Sequence, residues 1–289
     1  MIIPFYNFKE SKLPARSQAL KHSNTQTFKL IKRMRLFIFS IIIILSGIIL
    51  SCQQEKTYTV HRGAIIRADT TKKNIALVFT GDEYSDGGDH ILKTLNKSNI
   101  KASFFFTGRF YRNPENTRLI NKLISDGHYM GAHSDMHLLY CDWENRDSLL
   151  VSFEEFSTDL ENNYLSMKEY GINKDGAKYF LPPFEWYNDT ISIWTNIMDL
   201  QLINYTPGTL SHADYTTPGM PAYTGSDEIF DSIMTYESNN SSGLNGFILL
   251  MHAGTSPERI DKFYFLLNNL IYDLGNKGYS FVRIDSLLK

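Results

Sequence analysis

Two histidines, His133 and His137, stand four residues apart in the segment GHYMGAHSDMH, residues 127–137. They follow the short apolar run YMGA, which is typical of a buried strand. If the chain turns helically after this strand, both imidazoles lie on one side, as a metal ion requires. Two surface histidines in a polar turn would show the same spacing, so the pair alone does not establish a metal site.

Other reactive side chains follow two further apolar runs. Asp82 and Glu83 come shortly after IALVF (75–79), and His252 directly follows FILLM (247–251). The carboxyl ends of parallel strands meet at one edge of a sheet, where α/β enzymes carry their chemistry. Two histidines and one carboxylate leave open positions on a divalent metal for water and substrate. The pattern therefore predicts a metal-dependent catalytic site at this edge.

Short apolar runs alternate with segments of helical spacing from residue 74 onward. The predicted strands are IALVF (75–79), ASFFF (102–106), YMGA (129–132), KYFL (178–181), LINY (202–205), FILLM (247–251) and SFVRI (280–284). About seven strands alternating with helices predict a parallel sheet covered by helices. Periodicity does not distinguish an open doubly wound sheet from a closed α/β barrel. Residues 206–227 are predicted to form a structured loop.

The first 51 residues are predicted to lie outside the fold. Basic residues precede the apolar run 36–50, which is shorter than the ~18 residues of a spanning helix and fits a signal-peptide core. The run leads to Cys52, and the segment resembles a bacterial lipoprotein signal in which this cysteine is lipidated. An uncleaved membrane anchor is the alternative. Either would place the rest of the chain outside the cytoplasmic membrane, with 52–73 as a tether and 74–289 as the catalytic domain.

Composition limits the classes of partner and the means of stabilisation. The net charge of −2 over 289 residues provides no basic field to attract nucleic acid. With Cys52 assigned to lipid, Cys141 has no cysteine to pair with. We therefore expect the domain to be held together by its hydrophobic core and not by a disulfide.

The order of these motifs resembles the polysaccharide deacetylases, the NodB-homology fold of carbohydrate esterase family 4. The matching segments are ASFFFTG (102–108), GHYMGAHSDMH (127–137), YFLPPFEWYND (179–189) and LLMH (249–252). The resemblance covers roughly residues 74–285. It implies a deformed (β/α) barrel of about seven parallel strands. It also implies a divalent metal, usually zinc, with cobalt or nickel as alternatives, held by one aspartate and two histidines.

Carried over to this sequence, the resemblance assigns functions to individual residues. Asp82, His133 and His137 become the metal ligands, and His252 becomes the general acid that protonates the leaving amine. Asp214, in LSHADY, stands where the family has a residue that supports this histidine. The residues predicted to contact the sugar are Pro183, Phe184, Trp186 and Tyr205, with Trp143 and Tyr215 nearby.

Two residues depart from the family pattern. The family has two consecutive aspartates after its first strand, a base followed by a metal ligand. Counting back from ASFFF places Gly81 and Asp82 there, whereas counting forward from IALVF places Thr80 and Gly81 there. The first count is preferred because it keeps a carboxylate for the metal. Leu181 replaces the arginine that orients the base in the family, so both the base and its partner are missing.

Glu83 is predicted to replace the missing base, because it adjoins Asp82 and is longer by one methylene. Asp86, Asp135 and Glu185 are further candidates, although Asp135 should face away if the segment is helical. The sequence thus predicts a metal-dependent hydrolase that removes N- or O-linked acetyl groups from a polysaccharide or peptidoglycan at the bacterial cell envelope. An amidase acting on another C–N bond would use the same site. The alternative from a different class is a catalytically silent carbohydrate-binding lipoprotein on the same barrel.

Overall fold

The computed structural model describes residues 32–35, 37 and 58–289. Cys52, the predicted lipidation site, lies outside the described residues, as does most of the predicted signal at 1–51. The chain divides into two compact units, Met1–Glu55 and Lys56–Lys289, and the second carries everything that follows. Among the described residues, no helix has the length and apolar character needed to cross a membrane.

One curled sheet organises residues 58–289. Its strands are β1 (Thr59–His61), β2 (Ala64–Arg67), β3 (Asn74–Gly81), β4 (Ser103–Phe106), β5 (Tyr129–Ala132), β6 (Tyr179–Phe180), β7 (Gln201–Leu202), β8 (Phe247–His252) and β9 (Ser280–Phe281). Their order is β1-β2-β8-β3-β4-β5-β6-β7, and β9 pairs with β3. The pairings from β8 through β3 to β7 are parallel, and those of β1 with β2 and of β2 with β8 are antiparallel.

The sheet curls until its far edge returns to β2. Ile65 in β2 forms a parallel bridge with Ile203, just beyond β7. The amide of Asn204 donates to the Ile65 carbonyl at 3.0 Å, which continues this closure. The deformed (β/α) barrel predicted from the sequence is therefore confirmed. Residues 59–67 were expected in the tether, but they form the β1–β2 hairpin that closes the barrel.

Seven helices cover the outside of the sheet in residues 58–289. They are α1 (Gly88–Lys97), α2 (Gly108–Arg112), α3 (Thr117–Ser125), α4 (Phe153–Lys168), α5 (Asp189–Ile197), α6 (Ser226–Asn239) and α7 (Leu267–Asn276). A short eighth helix, α8 (Ile284–Leu287), packs Ile284 and Leu287 into the inner apolar cluster instead. Helix α4 begins with a capping box, in which Ser152 and Glu155 bond each other's backbone amides. Such a cap fixes where the helix starts, and hence which of its residues face the sheet.

Side chains of the central strands alternate between two apolar clusters, as the two-residue period of a strand requires. Val78 and Leu250 belong to the cluster inside the barrel, together with Leu181, which replaces the family's arginine. Phe79 and Leu249 belong to the larger cluster between sheet and helices. An arginine in place of Leu181 would need a buried partner for its charge in this apolar cluster.

Gly81 ends β3 at a point with no room for a side chain. A Cβ there would lie 2.8 Å from Cδ1 of Phe106 and 3.0 Å from Cε2 of Phe110. These two rings are stacked, with centroids 4.0 Å apart. A carboxylate at position 81 would therefore point at the outer cluster. Both counts assign a function to position 81, so this crowding does not choose between them; Thr80 and Gly81 both line the pocket, and neither residue carries a carboxylate.

We predict that Gly81→Ala destabilises the fold by about 1–3 kcal/mol, because the added methyl overpacks the two stacked rings. Urea unfolding of the two proteins would measure the difference. Gly219→Ala is the matched control, since a Cβ at Gly219 meets nothing within 4 Å. Equal unfolding midpoints for the two variants would contradict the assigned packing around Gly81.

Candidate active site

A pocket of about 760 Å³ opens at the carboxyl ends of the parallel strands. The predicted metal ligands, the predicted acid and the preferred base lie in its wall: Asp82, Glu83, His133, His137 and His252. Thr80 and His252 are directly paired across β3 and β8, so the end of β8 brings the histidine beside the end of β3. The strand-end rule used with the sequence therefore placed these side chains in one cavity.

His133 is held rigidly at the end of β5. Its backbone amide donates to Oδ1 of Asn163 at 2.9 Å, and its Nδ1 lies 2.8 Å from the Leu181 carbonyl. Nδ1 acts as the donor in this contact, which leaves the Nε2 lone pair free. Burial, and then the neighbouring His137, lower the pKa of His133 to about 3. The ring is therefore neutral, as a metal ligand must be.

The turn between the two histidines is built around one buried carboxylate, that of Asp159 on α4. Its oxygens accept from the Ser134 hydroxyl at 2.6 Å and from the Met136 amide at 3.0 Å. Ser134 and His137 have positive φ angles of 74° and 57°. The turn is therefore not helical, contrary to the expectation from the sequence. The two imidazoles nevertheless lie on one side, with centroids 5.1 Å apart.

Asp82 is bound by a neighbouring arginine that the sequence reasoning did not identify. Arg109 bridges both of its carboxylate oxygens, and the Thr107 hydroxyl donates to Oδ1 at 2.9 Å. Burial opposes ionisation of Asp82, but Arg109, together with His137 and Thr107, outweighs it and lowers the pKa of this carboxyl. The ionised form of Asp82 is therefore favoured, so this carboxylate can attract a cation but is a poor proton acceptor.

Asp82, His133 and His137 fit a divalent metal in kind, with two neutral imidazoles and one anion. Nδ1 of His137 lies 4.0 Å from Oδ2 of Asp82. Tetrahedral zinc would bring two such ligand atoms to about 3.3 Å. Over residues 58–289 no three ligand side chains already stand at coordination spacing. Side chains would therefore have to move for the three ligands to close around one ion, and His137 lies on a turn.

His252 and Asp214 form a second unit on the other side of the pocket. Nδ1 of His252 lies 2.6 Å from Oδ1 of Asp214, and the His252 amide donates to Oδ2 at 2.9 Å. Burial disfavours a charged imidazole, but the Asp214 carboxylate outweighs burial and raises the pKa of His252. This arrangement favours the protonated imidazole, which is the form that a general acid needs.

A buried arginine holds the loop that carries Asp214. Arg259 is fully buried, and its Nη1 donates to the carbonyls of Thr216 at 2.6 Å and Thr224 at 3.0 Å. Its Nη2 donates to the Ser226 hydroxyl at 3.2 Å. Hydrogen bonds from the buried Arg259 thus hold the predicted loop 206–227 in place. Within this loop, a short 3₁₀ turn, Ser211–Tyr215, carries Asp214 to His252.

The carboxylates proposed as substitutes for the base are not equivalent. Asp86 accepts from the Thr255 amide and the Tyr264 hydroxyl, and pairs with Lys262. Asp135 is bound by Arg112 and does not line the pocket. Glu83 lies exposed in the pocket wall. Glu185 is partly buried in the wall, and burial, with a contribution from Asp214, raises its pKa to about 7.

Aromatic rings form one side of the pocket. Phe184 contacts the His137 ring at a centroid distance of 4.4 Å, and Trp143 packs against Trp186 at 5.4 Å. Tyr205 stacks on His212 at 4.4 Å. The residues predicted to contact sugar therefore line the cavity, except for Pro183, which is buried and lies outside the pocket wall.

The arrangement can be compared with known proteins. Residues 67–202 match the family described as polysaccharide deacetylase. Peptidoglycan-N-acetylmuramic acid deacetylase PdaA of Bacillus subtilis is 22% identical over 226 residues, which are 78% of this chain and 75% of PdaA. Peptidoglycan-N-acetylglucosamine deacetylase of Bacillus cereus is 24% identical over 223 residues, 75% of this chain and 89% of that protein.

Solved structures share the fold. The Bacillus subtilis PdaA structure superposes with a TM-score of 0.61 at 21% identity, covering 78% of this chain and 85% of that chain. A carbohydrate esterase family 4 pseudoenzyme from Bacillus anthracis superposes equally well, at 20% identity, covering 80% and 70%. The fold and the pocket define a NodB-type (β/α) barrel. Residues 67–202 match the polysaccharide deacetylase family, and over that span the resemblance found in the motifs is confirmed.

We predict that Asp214→Asn lowers the pKa of His252, because it removes the negative charge that favours the imidazolium. An NMR titration of the histidine ring signals would follow this change. His128 is the internal control and should titrate as before, since its ring meets Phe104 edge to face and its Nδ1 accepts from the Ala102 amide just before β4. An unchanged His252 titration would remove Asp214 from the supporting role.

Proposed function

We propose that this chain is a hydrolase that removes acetyl groups, N- or O-linked, from a polysaccharide or from peptidoglycan. The observation that carries the proposal is the pairing of two units in one pocket. His252 with Asp214 is an oriented proton donor, and Asp82 with His133 and His137 is a site for polarising a carbonyl. Deacetylases among the relatives support the same reaction class.

The pocket wall favours a sugar substrate. Trp143 is 55% exposed and Phe184 41% exposed, and the two rings meet edge to face at 5.6 Å. Arg146 stacks over Trp186 at 4.0 Å, which holds that ring in place. Rigid aromatic faces beside an acid offer an apolar surface for a sugar ring while the acetyl group points to His252.

We propose that the site uses a divalent metal, with zinc expected and cobalt or nickel as alternatives. Asp82, His133 and His137 would hold it. When bound, the metal would polarise the acetyl carbonyl and favour ionisation of water. Arg109 would keep the Asp82 carboxylate ionised and oriented, and the Leu181 carbonyl would fix the His133 tautomer.

The proposed location is the bacterial cell envelope, outside the cytoplasmic membrane. It rests on the apolar run at 36–50 and on Cys52, which would carry a lipid. Peptidoglycan and other envelope polysaccharides would then be in reach of the tethered domain.

A silent carbohydrate-binding protein is the second candidate, and two observations favour it. Neither Thr80 nor Gly81 supplies the family's base carboxylate. A structure with the same fold is described as a pseudoenzyme, and a mutant of that protein as having restored activity. Retention of the His252–Asp214 pair favours the enzyme, because sugar binding alone gives no reason to orient a proton donor.

Acetate release separates the two candidates. We expect the purified protein to release acetate from N-acetylglucosamine oligomers, peptidoglycan or acetylated xylan. His252→Ala should lower kcat by about 10²–10⁴-fold, because the leaving group loses its proton donor. Binding of all three glycans without acetate release by the wild-type protein would establish the silent alternative.

Metal content tests the proposed cofactor independently of turnover. We expect close to one divalent ion per chain by elemental analysis, and loss of that ion in His133→Ala, which removes a neutral imidazole ligand. His212→Ala is the matched control, since His212 also lines the pocket but stacks on Tyr205, away from the proposed ligands. No bound ion after incubation with zinc or cobalt would refute the metal proposal.

A further inference from the structure

We propose that Glu185 is the general base of this enzyme and replaces the carboxylate that the end of β3 lacks, an inference that rests on the deacetylation proposed above. Glu185 belongs to the 3₁₀ turn Pro183–Glu185 that follows β6. It enters the pocket wall between the exposed ring of Phe184 and Trp186. The base would thus act from a different strand end than in the family pattern.

The backbone of this turn is held in a costly conformation. Phe184 and Glu185 have φ angles of 58° and 53°, in the left-handed region that non-glycine residues rarely adopt. The Asn204 side-chain amide donates to the Glu185 carbonyl at 2.8 Å, and the Glu185 amide donates to the Pro182 carbonyl at 3.1 Å. Strain that is maintained in this way is typical of functional sites. Here it fixes the direction in which the Glu185 side chain leaves the turn.

Two other carboxylates at the pocket, those of Asp82 and Asp214, are already engaged. Arg109 binds both oxygens of Asp82, and His252 binds Asp214. Within residues 58–289 the side chain of Glu185 makes no hydrogen bond, although it is partly buried. Glu185 therefore has both oxygens available for a water molecule. Glu83 shares that availability, but it is exposed, so water competes for its oxygens.

The charges around Glu185 suit proton transfer. The groups that act on it are His252 on β8 and Asp214 on the 211–215 turn, and the hydroxyls of Tyr205 and Tyr215 sense its charge in turn. Burial raises the pKa of Glu185 to about 7, His252 opposes this rise, and Asp214 adds to it. A base whose pKa lies near the working pH combines sufficient ionisation with a strong affinity for the proton.

The proposed step balances as a hydrolysis. The Glu185 carboxylate takes one proton from water, and the water oxygen forms a bond to the acetyl carbonyl carbon. The bond from that carbon to the sugar nitrogen or oxygen then breaks, and the protonated His252 gives its proton to the leaving atom. The products are acetate and the free sugar amine or hydroxyl, and exchange with solvent restores both protonation states.

The deciding experiment compares Glu185→Gln with two other glutamate-to-glutamine changes. Glu83→Gln tests the rival base, and Glu258→Gln is the matched control, a pocket-wall glutamate without a proposed role. With the best substrate from the acetate assay, we expect Glu185→Gln to lower kcat by about 10²–10⁴-fold with little change in KM. The control should keep the wild-type rate.

The pH profile distinguishes a base from a structural role. For the wild-type protein, kcat/KM should decrease as the pH is lowered through about 7, because Glu185 becomes protonated and cannot accept a proton. Glu185→Gln should lose this acid limb from its residual activity. Glu185→Asp keeps the charge and should retain the limb at a lower rate. Matching urea midpoints would show that the variants are folded.

The outcomes separate the inference from the function on which it rests. A wild-type protein without acetate release would overturn the proposed function and this role together. An active wild-type protein whose activity survives Glu185→Gln, or disappears in Glu83→Gln instead, would overturn only the assignment of Glu185. A carboxyl ¹³C signal that disappears in Glu185→Gln and titrates in the ordinary glutamate range would also overturn it, whatever the activity.

Discussion

Strand β3 is hydrogen-bonded on both sides, to β4 from Val78 to Gly81 and to β8 from Ile75 to Thr80. This double pairing fixes where β3, β4 and β8 end relative to one another. Because β8 reaches His252 opposite Thr80, the proposed acid enters the pocket where β3 turns into Asp82. A shift of one residue in the β3–β8 register would turn His252 towards the outer cluster. The apolar sides of these strands therefore determine the position of the chemistry.

Buried charged groups extend this constraint into the loops. Asp159 on α4 organises the turn that carries His137, and Arg259 organises the loop that carries Asp214. Each group is hydrogen-bonded to several buried backbone and hydroxyl groups, so removing the charged side chain would leave those groups without partners. The functional turns depend less on their own conformational preferences than on one polar side chain from a helix or a neighbouring loop.

The strand pattern predicted a parallel sheet, and the strand-end rule placed Asp82, His133, His137 and His252 together. Only the family resemblance predicted that the sheet closes into a barrel. The β1–β2 hairpin was missed because two short strands with exposed positions, such as Thr59–His61, carry no alternating pattern. The helical reading of HSDMH failed because contacts to Asp159, distant in sequence, override local spacing. Arg109 was overlooked, although it follows β4 as Asp82 follows β3, and the same rule would have identified it. Glu185 was only one of several candidates, since its burial depends on how the 206–227 loop packs.

The position proposed for the base has an electrostatic consequence for the acid. An aspartate at the end of β3 would stand beside Asp82 and would need a cation to offset the repulsion between the two carboxylates. The family's arginine would supply that cation, whereas Leu181, in the apolar interior, does not. Glu185 interacts electrostatically with His252 instead, and each favours the charged form of the other: the carboxylate raises the pKa of the imidazole, and the imidazolium lowers that of the carboxyl. The ionised base with the protonated acid is therefore the mutually stabilised state, which is the state that hydrolysis needs. The two groups should titrate as a coupled pair. Loss of the arginine and relocation of the base are then one change, because the charge that the arginine would have supplied now comes from the acid itself.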